Sequence, residues 1–212
     1  MATDLPPADD LRERLVGAGL RLLDHHDPAE LTVRRIAEAA GTSTMGVYTK
    51  FGGRSGILEA IYVRGFELLR EALQAAPELG DGDSIRRILG LGLAYRRFAL
   101  ANPALYAFMF ERPVRDFDPD PALRRQALET TFGLLVAAVE HAAGRGALPG
   151  GAPLHSSYLI WTITHGMVSL ELTHAVRSPL PGWFLDTEQA RERIFLDGLR
   201  ATLTGLRQRE PA

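Results

Sequence analysis

The sequence predicts an all-α protein: an N-terminal three-helix unit of the helix-turn-helix kind, followed by a larger helical domain. Three observations carry this. Apolar residues recur at three- and four-residue intervals in almost every segment, no stretch alternates apolar and polar residues between hairpin turns, and Leu31 to Phe51 reads as two short helices around a glycine. The domains fall at 8–56 and 57–208. At 212 residues the chain is long enough to bury a substantial core. It has no cysteine, which excludes disulfides, thiolate metal sites and a cysteine nucleophile together. The beginning, MATDLPPADD, has neither the basic end nor the apolar run of a secretory signal. The most apolar long segment, Leu159 to Leu170, contains His165 and falls short of the roughly 20 residues that cross a bilayer. A soluble, cytoplasmic protein with no membrane partner is expected.

Asp9 or Asp10 can start the first helix, which carries Leu11, Leu15, Ala18 and Leu22 and ends near His25 and His26, before Asp27-Pro28. Histidines at a helix C-terminus interact favourably with its dipole, which explains this pair without a ligand role. Thr32 can cap the second helix, whose Val33, Ile36, Ala37 and Ala40 share one stripe. Gly41 stops it, since a residue without Cβ suits the left-handed turn. Ser43 or Thr44 can cap the third helix. Val47 and Phe51 anchor it, while Thr44, Met45, Tyr48 and Thr49 share an arc that points elsewhere. A long helix runs from about Arg54 to Ala76 and closes at Pro77 and the Gly80 to Gly82 turn. From Ser84 a helix with Ile85, Ile88, Leu89 and Phe98 reaches Asn102, and Asn102-Pro103 is a cap followed by a proline at the first helical position. A short aromatic helix holds Tyr106, Phe108, Met109 and Phe110. An acidic, proline-rich link leads to a helix over about Pro121 to Arg145, and Gly144 to Pro153 forms a turn. Helices at Leu154 to Val176 and Thr187 to Arg207 flank a proline-containing loop.

Charge singles out the helix-turn-helix segment. Leu31 to Gly56 holds Arg34, Arg35, Lys50 and Arg54 against Glu38 alone, a net +3, whereas the whole chain is −2, leaving −5 for the rest. A cationic patch on one small unit fits a phosphate-binding face. Taken alone, the pattern equally fits two short helices of an all-α protein that never meets DNA.

The penultimate helix is apolar on more than one side. Tyr158, Trp161, His165, Val168 and Leu172 form one stripe and Ile160, Ile163, Met167 and Leu170 another, so burial on more than one side is expected. Small residues Thr162, Gly166, Ser169 and Thr173 form a third stripe that lets another helix come close. The last helix repeats the device with Gly198, Thr202 and Gly205 beside Phe195, Leu199, Leu203 and Leu206. The pattern predicts that these two helices pair with their copies across a two-fold axis. Packing of both stripes inside one chain is the alternative.

The residues Thr32, Ile36, Ala37, Ala40, Gly41, Ser43, Tyr48, Phe51 and Gly52 stand at the spacing T-x-x-x-I-A-x-x-A-G-x-S, then Y-x-x-F-G. This segment resembles the DNA-binding region of the tetracycline-repressor (TetR) family. Trp161, His165 and Gly166 resemble the signature of a TetR-family C-terminal domain type named for its Trp-His-Gly residues. Together the two matches span most of the chain. The resemblance implies a sequence-specific DNA-binding transcriptional regulator, a repressor by family habit, homodimeric through its last two long helices. It further implies a palindromic operator, released when a small apolar effector binds. Carried over position by position, Arg34, Thr44, Met45, Gly46 and Thr49 meet bases, while Thr32, Ser43, Tyr48, Lys50 and Arg54 meet phosphates and Arg35 adds charge to the same face. Arg34 has the fork for a bidentate pair with guanine, and Thr44, Met45 and Thr49 have methyls for thymine. Two departures from the family pattern stand out: Thr42 replaces an apolar residue, and Gly46 sits inside the reading helix.

The resemblance also implies a small-molecule pocket among the central helices, for which Phe98, Tyr106, Met109, Phe110, Phe132, Tyr158, Trp161 and His165 supply the walls. Ordinary core packing explains the same residues. No catalytic residue, metal site or cofactor is expected. His141, His155, His165 and His174 show no metal-ligand spacing, and neither a Gly-rich phosphate loop nor an assignable Ser-His-Asp arrangement occurs. An α-helical binding protein that has lost DNA recognition is the remaining rival.

Overall fold

The computed structural model of the chain describes residues 8–25, 27–76, 84–148, 152–174 and 187–208. All regular structure among them is helical: α1 (Ala8–Leu23), a one-turn 3₁₀ helix (Pro28–Glu30), α2 (Val33–Ala39), α3 (Thr44–Phe51), α4 (Arg54–Gln74), α5 (Ser84–Ala101), α6 (Pro103–Phe110), α7 (Pro121–Gly144), α8 (Pro153–His174) and α9 (Glu188–Arg207). The all-α reading holds, with most helix ends within a residue or two of those expected. No described helix is long and apolar enough to cross a membrane. The 3₁₀ turn was not announced by periodicity; Asp27 starts it by accepting a hydrogen bond from the Ala29 N–H at 2.7 Å. The first seven residues, His26, the Pro77 to Gly82 turn, part of the Gly144 to Pro153 turn and the loop before Thr187 lie outside the described residues.

Two compact units divide the chain, Met1–Leu68 with Asn102–Leu128 and Leu69–Ala101 with Glu129–Ala212. The expected 8–56 domain lies wholly in the first. In that unit α1, α2 and α3 pack pairwise, and α6 packs on α1 and the 3₁₀ turn. Leu15, Ala18, Ile36, Val47, Ile57, Leu58 and Ile61 are fully buried, so each helix contributes an apolar stripe to one core. Tyr62 and Phe66 of α4 meet Phe108 and Phe110 of α6 edge-on. Gly65 eases the approach: a Cβ there would lie 2.9 Å from Met109 Sδ. The link after α6 is held firmly. Phe117 stacks on Phe108 at 5.5 Å, Asp118 pairs with both Arg112 and Arg124, and the backbone passes through the left-handed region at Arg112 and Asp116, φ 54° and 59°.

In the second unit α5, α8 and α9 pack on one another, and α7 joins through Phe132, whose ring lies 4.9 Å from Tyr158 and 6.2 Å from Trp161. Gly92 lets α9 close on α5: a Cβ there would meet Leu199 Cδ1 at 2.6 Å. The middle of this unit is not apolar. Arg96 of α5, 1% exposed, donates from Nε and Nη2 to the two carboxylate oxygens of Glu171 on α8 at 2.8 and 2.6 Å, and from Nη2 to Glu188 of α9 at 2.8 Å. Arg191 reaches the same Glu171 at 3.1 Å. Burial alone would lower the Arg96 pKa, but the hydrogen bonds it donates to Glu171 and Glu188, with the charges of those carboxylates, outweigh it and raise the value above the ordinary one. Three helices therefore share one ion network, with Arg96 and Glu171 buried at its centre and Glu188 at its exposed edge.

Candidate nucleic-acid interface

Helix ends build this site. Thr32 takes the extended cap position before α2 and its hydroxyl accepts the Arg35 N–H at 3.3 Å. At the other end Gly41 adopts φ 66°, and two arginines of α1 serve the carbonyls that α2 leaves open: Arg14 donates to Ala40 O at 2.7 Å and Arg21 to Ala39 O at 3.5 Å. Ser43 occupies the cap position of α3, but its side chain makes no capping bond. Gly52 ends α3 in the left-handed conformation, φ 72°. Gly56 is required at the entry to α4, because a Cβ there would fall 2.0 Å from the Phe51 carbonyl oxygen.

This scaffold turns a defined face outward. Val47 is fully buried, and Phe51 is half-buried with the Arg12 guanidinium 4.8 Å above its ring. Met45 is 69% and Tyr48 55% exposed, and Thr32, Arg34, Ser43, Thr44 and Thr49 are exposed with them. Lys50, Arg54 and Arg35 are half-buried. The Thr49 hydroxyl donates to Met45 O at 2.9 Å, which leaves its methyl as the group free for a base contact. Gly46 behaves differently from its neighbours. A Cβ there would lie 3.0 Å from Thr42 Oγ1 and 3.7 Å from Leu11 Cδ2, so position 46 has only backbone to offer a groove. The two departures from the family pattern are thus one packing pair.

The charge count also changes. Glu30 lies one residue before Leu31, and its carboxylate pairs closely with Arg35. Glu38 accepts from Arg34 Nε at 3.1 Å. Both arginines of α2 therefore carry an acidic partner.

The aromatic residues expected to wall a pocket divide between the units. Tyr106, Met109 and Phe110 belong to the first, with the Tyr106 and Phe110 rings 4.9 Å apart. Phe98, Phe132, Tyr158, Trp161 and His165 belong to the second. There Trp161 and His165 rings lie 5.4 Å apart, and His165 Nδ1 is 2.8 Å from the hydroxyl of Tyr95, a residue absent from the expected set. Burial lowers the His165 pKa, which keeps the ring neutral. Of the small-residue stripe, Thr162 and Thr173 are exposed and Gly166, Ser169 and Thr202 half-buried. A Cβ at Gly166 or Gly205 would meet nothing within 4 Å, and Ile163 (40%) and Leu170 (56%) are exposed on α8. At Gly198 a Cβ would lie 2.8 Å from Met167 Sδ, so this glycine lets α9 approach α8 of the same chain.

Known proteins share both parts. Residues 15–61 match the model of bacterial regulatory proteins, tetR family, and residues 88–197 match the tetracyclin repressor-like C-terminal domain. An HTH-type transcriptional regulator of Mycobacterium tuberculosis is 26% identical over 114 residues, 53% of this chain and 49% of the relative, so the chain spans about half the length of the curated relatives it matches. A protein of unknown function from Rhodococcus sp. RHA1 has a TM-score of 0.75 at 24% identity, covering 93% of this chain and 96% of that one. A TetR family transcription regulator from Marinobacter aquaeolei VT8 has a TM-score of 0.66 at 20% identity, covering 91% and 95%. At such identities the structures share the fold.

Proposed function

The chain belongs to the TetR family of bacterial regulatory proteins, and from that premise we propose that it binds double-stranded DNA as a homodimer, each protomer laying α3 in the major groove of one half of a palindromic operator. One observation carries this reading: α3 is pinned by buried Val47 while Thr44, Met45, Tyr48 and Thr49 stand exposed beside cationic Arg34, Lys50 and Arg54. Hydroxyls, a phenol and cations suit backbone phosphates, and methyls with an arginine fork suit base edges.

Dimerisation is supported by the face of α8 that bears Ile163, Leu170, Thr162 and Gly166, where apolar groups are exposed and a Cβ at Gly166 would meet nothing within 4 Å. Repression follows the family habit, and the aromatic groups around His165 in the second unit, Phe132, Tyr158 and Trp161, suit a small apolar effector that releases the operator. Selection of bound sites from randomised duplex DNA tests the reading. A palindrome with half-sites about one helical turn apart is expected. Recovery of sequences with no two-fold symmetry, or no enrichment at all, contradicts it.

A further inference from the structure

Both arginines on the outward side of α2 are already engaged. Arg34, with 83% of its side chain exposed, is held by Glu38, itself 63% exposed, and Arg35 by Glu30. A carboxylate offers a guanidinium the same pair of acceptor oxygens that a phosphate diester offers, and an acceptor pair equivalent to O6 and N7 of guanine. Stabilisation of α2 does not account for Glu38. It lies in the last turn of a seven-residue helix, where a negative charge opposes the dipole. Its partner also precedes it by four residues, the less favourable order for such a pair.

On the reading of this surface as a DNA interface, we propose that Glu38, supported by Glu30, is a specificity-determining residue that competes with DNA for the arginines of α2. Drawing Arg34 to a phosphate leaves the Glu38 carboxylate unpaired beside a polyanion. A phosphate contact is offered by every sequence, so this cost falls on all binding alike, whereas the bidentate pair with guanine is supplied by the operator and offsets the cost there. Glu38 therefore weakens binding to arbitrary sequence more than binding to the operator, and it widens the ratio between the two.

The test compares the full-length protein with Glu38→Gln and Glu30→Gln on two probes, a random-sequence duplex and a duplex selected from randomised DNA. Glu129→Gln, an exposed change of equal charge in the second unit, serves as the control. Glu38→Gln is expected to tighten random-sequence binding about two- to fivefold at low salt, with a smaller gain on the selected duplex and a gain that shrinks as salt rises. Glu30→Gln is expected to act in the same direction and more weakly. An unchanged or widened ratio between the probes overturns the inference, as does an equal effect of Glu129→Gln, which would mark a general charge effect. If the unaltered protein binds neither duplex, the DNA reading falls first and this inference with it.

Discussion

Arg34 on α2 and Arg96 on α5 show the same side chain used in opposite ways. Arg34 is solvent-exposed, has one carboxylate partner four residues away, and keeps most of its donors open to water. Arg96 is 1% exposed and binds carboxylates 75 and 92 residues away in sequence. An exposed pair contributes little to stability and can be exchanged for another anion. A buried pair adds little net stability over an apolar substitute, yet losing one partner is severe, so arrangements that separate Arg96 from Glu171 are penalised. The lesson is that the first region is arranged for exchange and the second for geometry.

The largest effect tests the second region. Arg96→Met should destabilise the protein by about 3 to 5 kcal/mol in chemical denaturation, because Glu171 is left buried with Arg191 as its remaining cation. Pairing it with Glu171→Leu should recover much of that loss. If Arg96→Met unfolds like the unaltered protein, the network is not a geometric constraint. Gly166→Trp probes the neighbouring outer face. With nothing within 4 Å of its Cβ the protomer should fold, and light scattering should report a monomer; a persisting dimer would place the two-fold interface elsewhere.

In the first region, Arg34→Ala should lose about 1 to 3 kcal/mol of discrimination at one base position. Lys50→Ala should weaken all sequences alike and reduce the salt slope by about one. Identical changes from both would erase the distinction between base and phosphate contacts. Thr32→Ala should cost about 1 kcal/mol through loss of its bond to the Arg35 N–H, visible as a lower denaturation midpoint.

Acid should separate the regions by the smallest margin. Burial lowers the His165 pKa, so below about pH 6.5 the unfolded chain takes up a proton before the folded one and stability falls. For Glu188, burial raises the pKa, but the bonds from Arg96 and Arg191 outweigh it and lower the value, so its contribution is present above the ordinary carboxylate range and is lost as pH falls through the lowered value. Melting between about pH 7.5 and 5.5 should show a smaller loss for His165→Gln than for the unaltered protein. Equal losses would mean that His165 is not held neutral by the fold.

These contrasts also explain what could be read ahead of the structure. Thr32, Gly41, Gly52 and Asn102-Pro103 set helix ends through bonds and backbone preferences that reach only a few residues, so the helices and the outward arc of α3 follow from local spacing. The Arg96–Glu171 pair could not be read, since no periodicity marks which arginine of α5 turns inward to meet a glutamate on α8. Glu30 was missed because the charge sum stopped one residue short, across a 3₁₀ turn that periodicity does not reveal. Gly46 faces Thr42 and Leu11 for a similar reason: its surroundings are set by α1, which approaches from outside the motif. The link between Tyr95 and His165 joins residues 70 apart and carries no local signal.

The central claim is that two copies of the α2–α3 wedge engage one operator together. Sedimentation of the protein with a duplex carrying the selected site tests it most directly. Two protomers bound per duplex are predicted, falling to none when both half-sites are scrambled. A single protomer on a site that reads the same after scrambling one half would contradict the account.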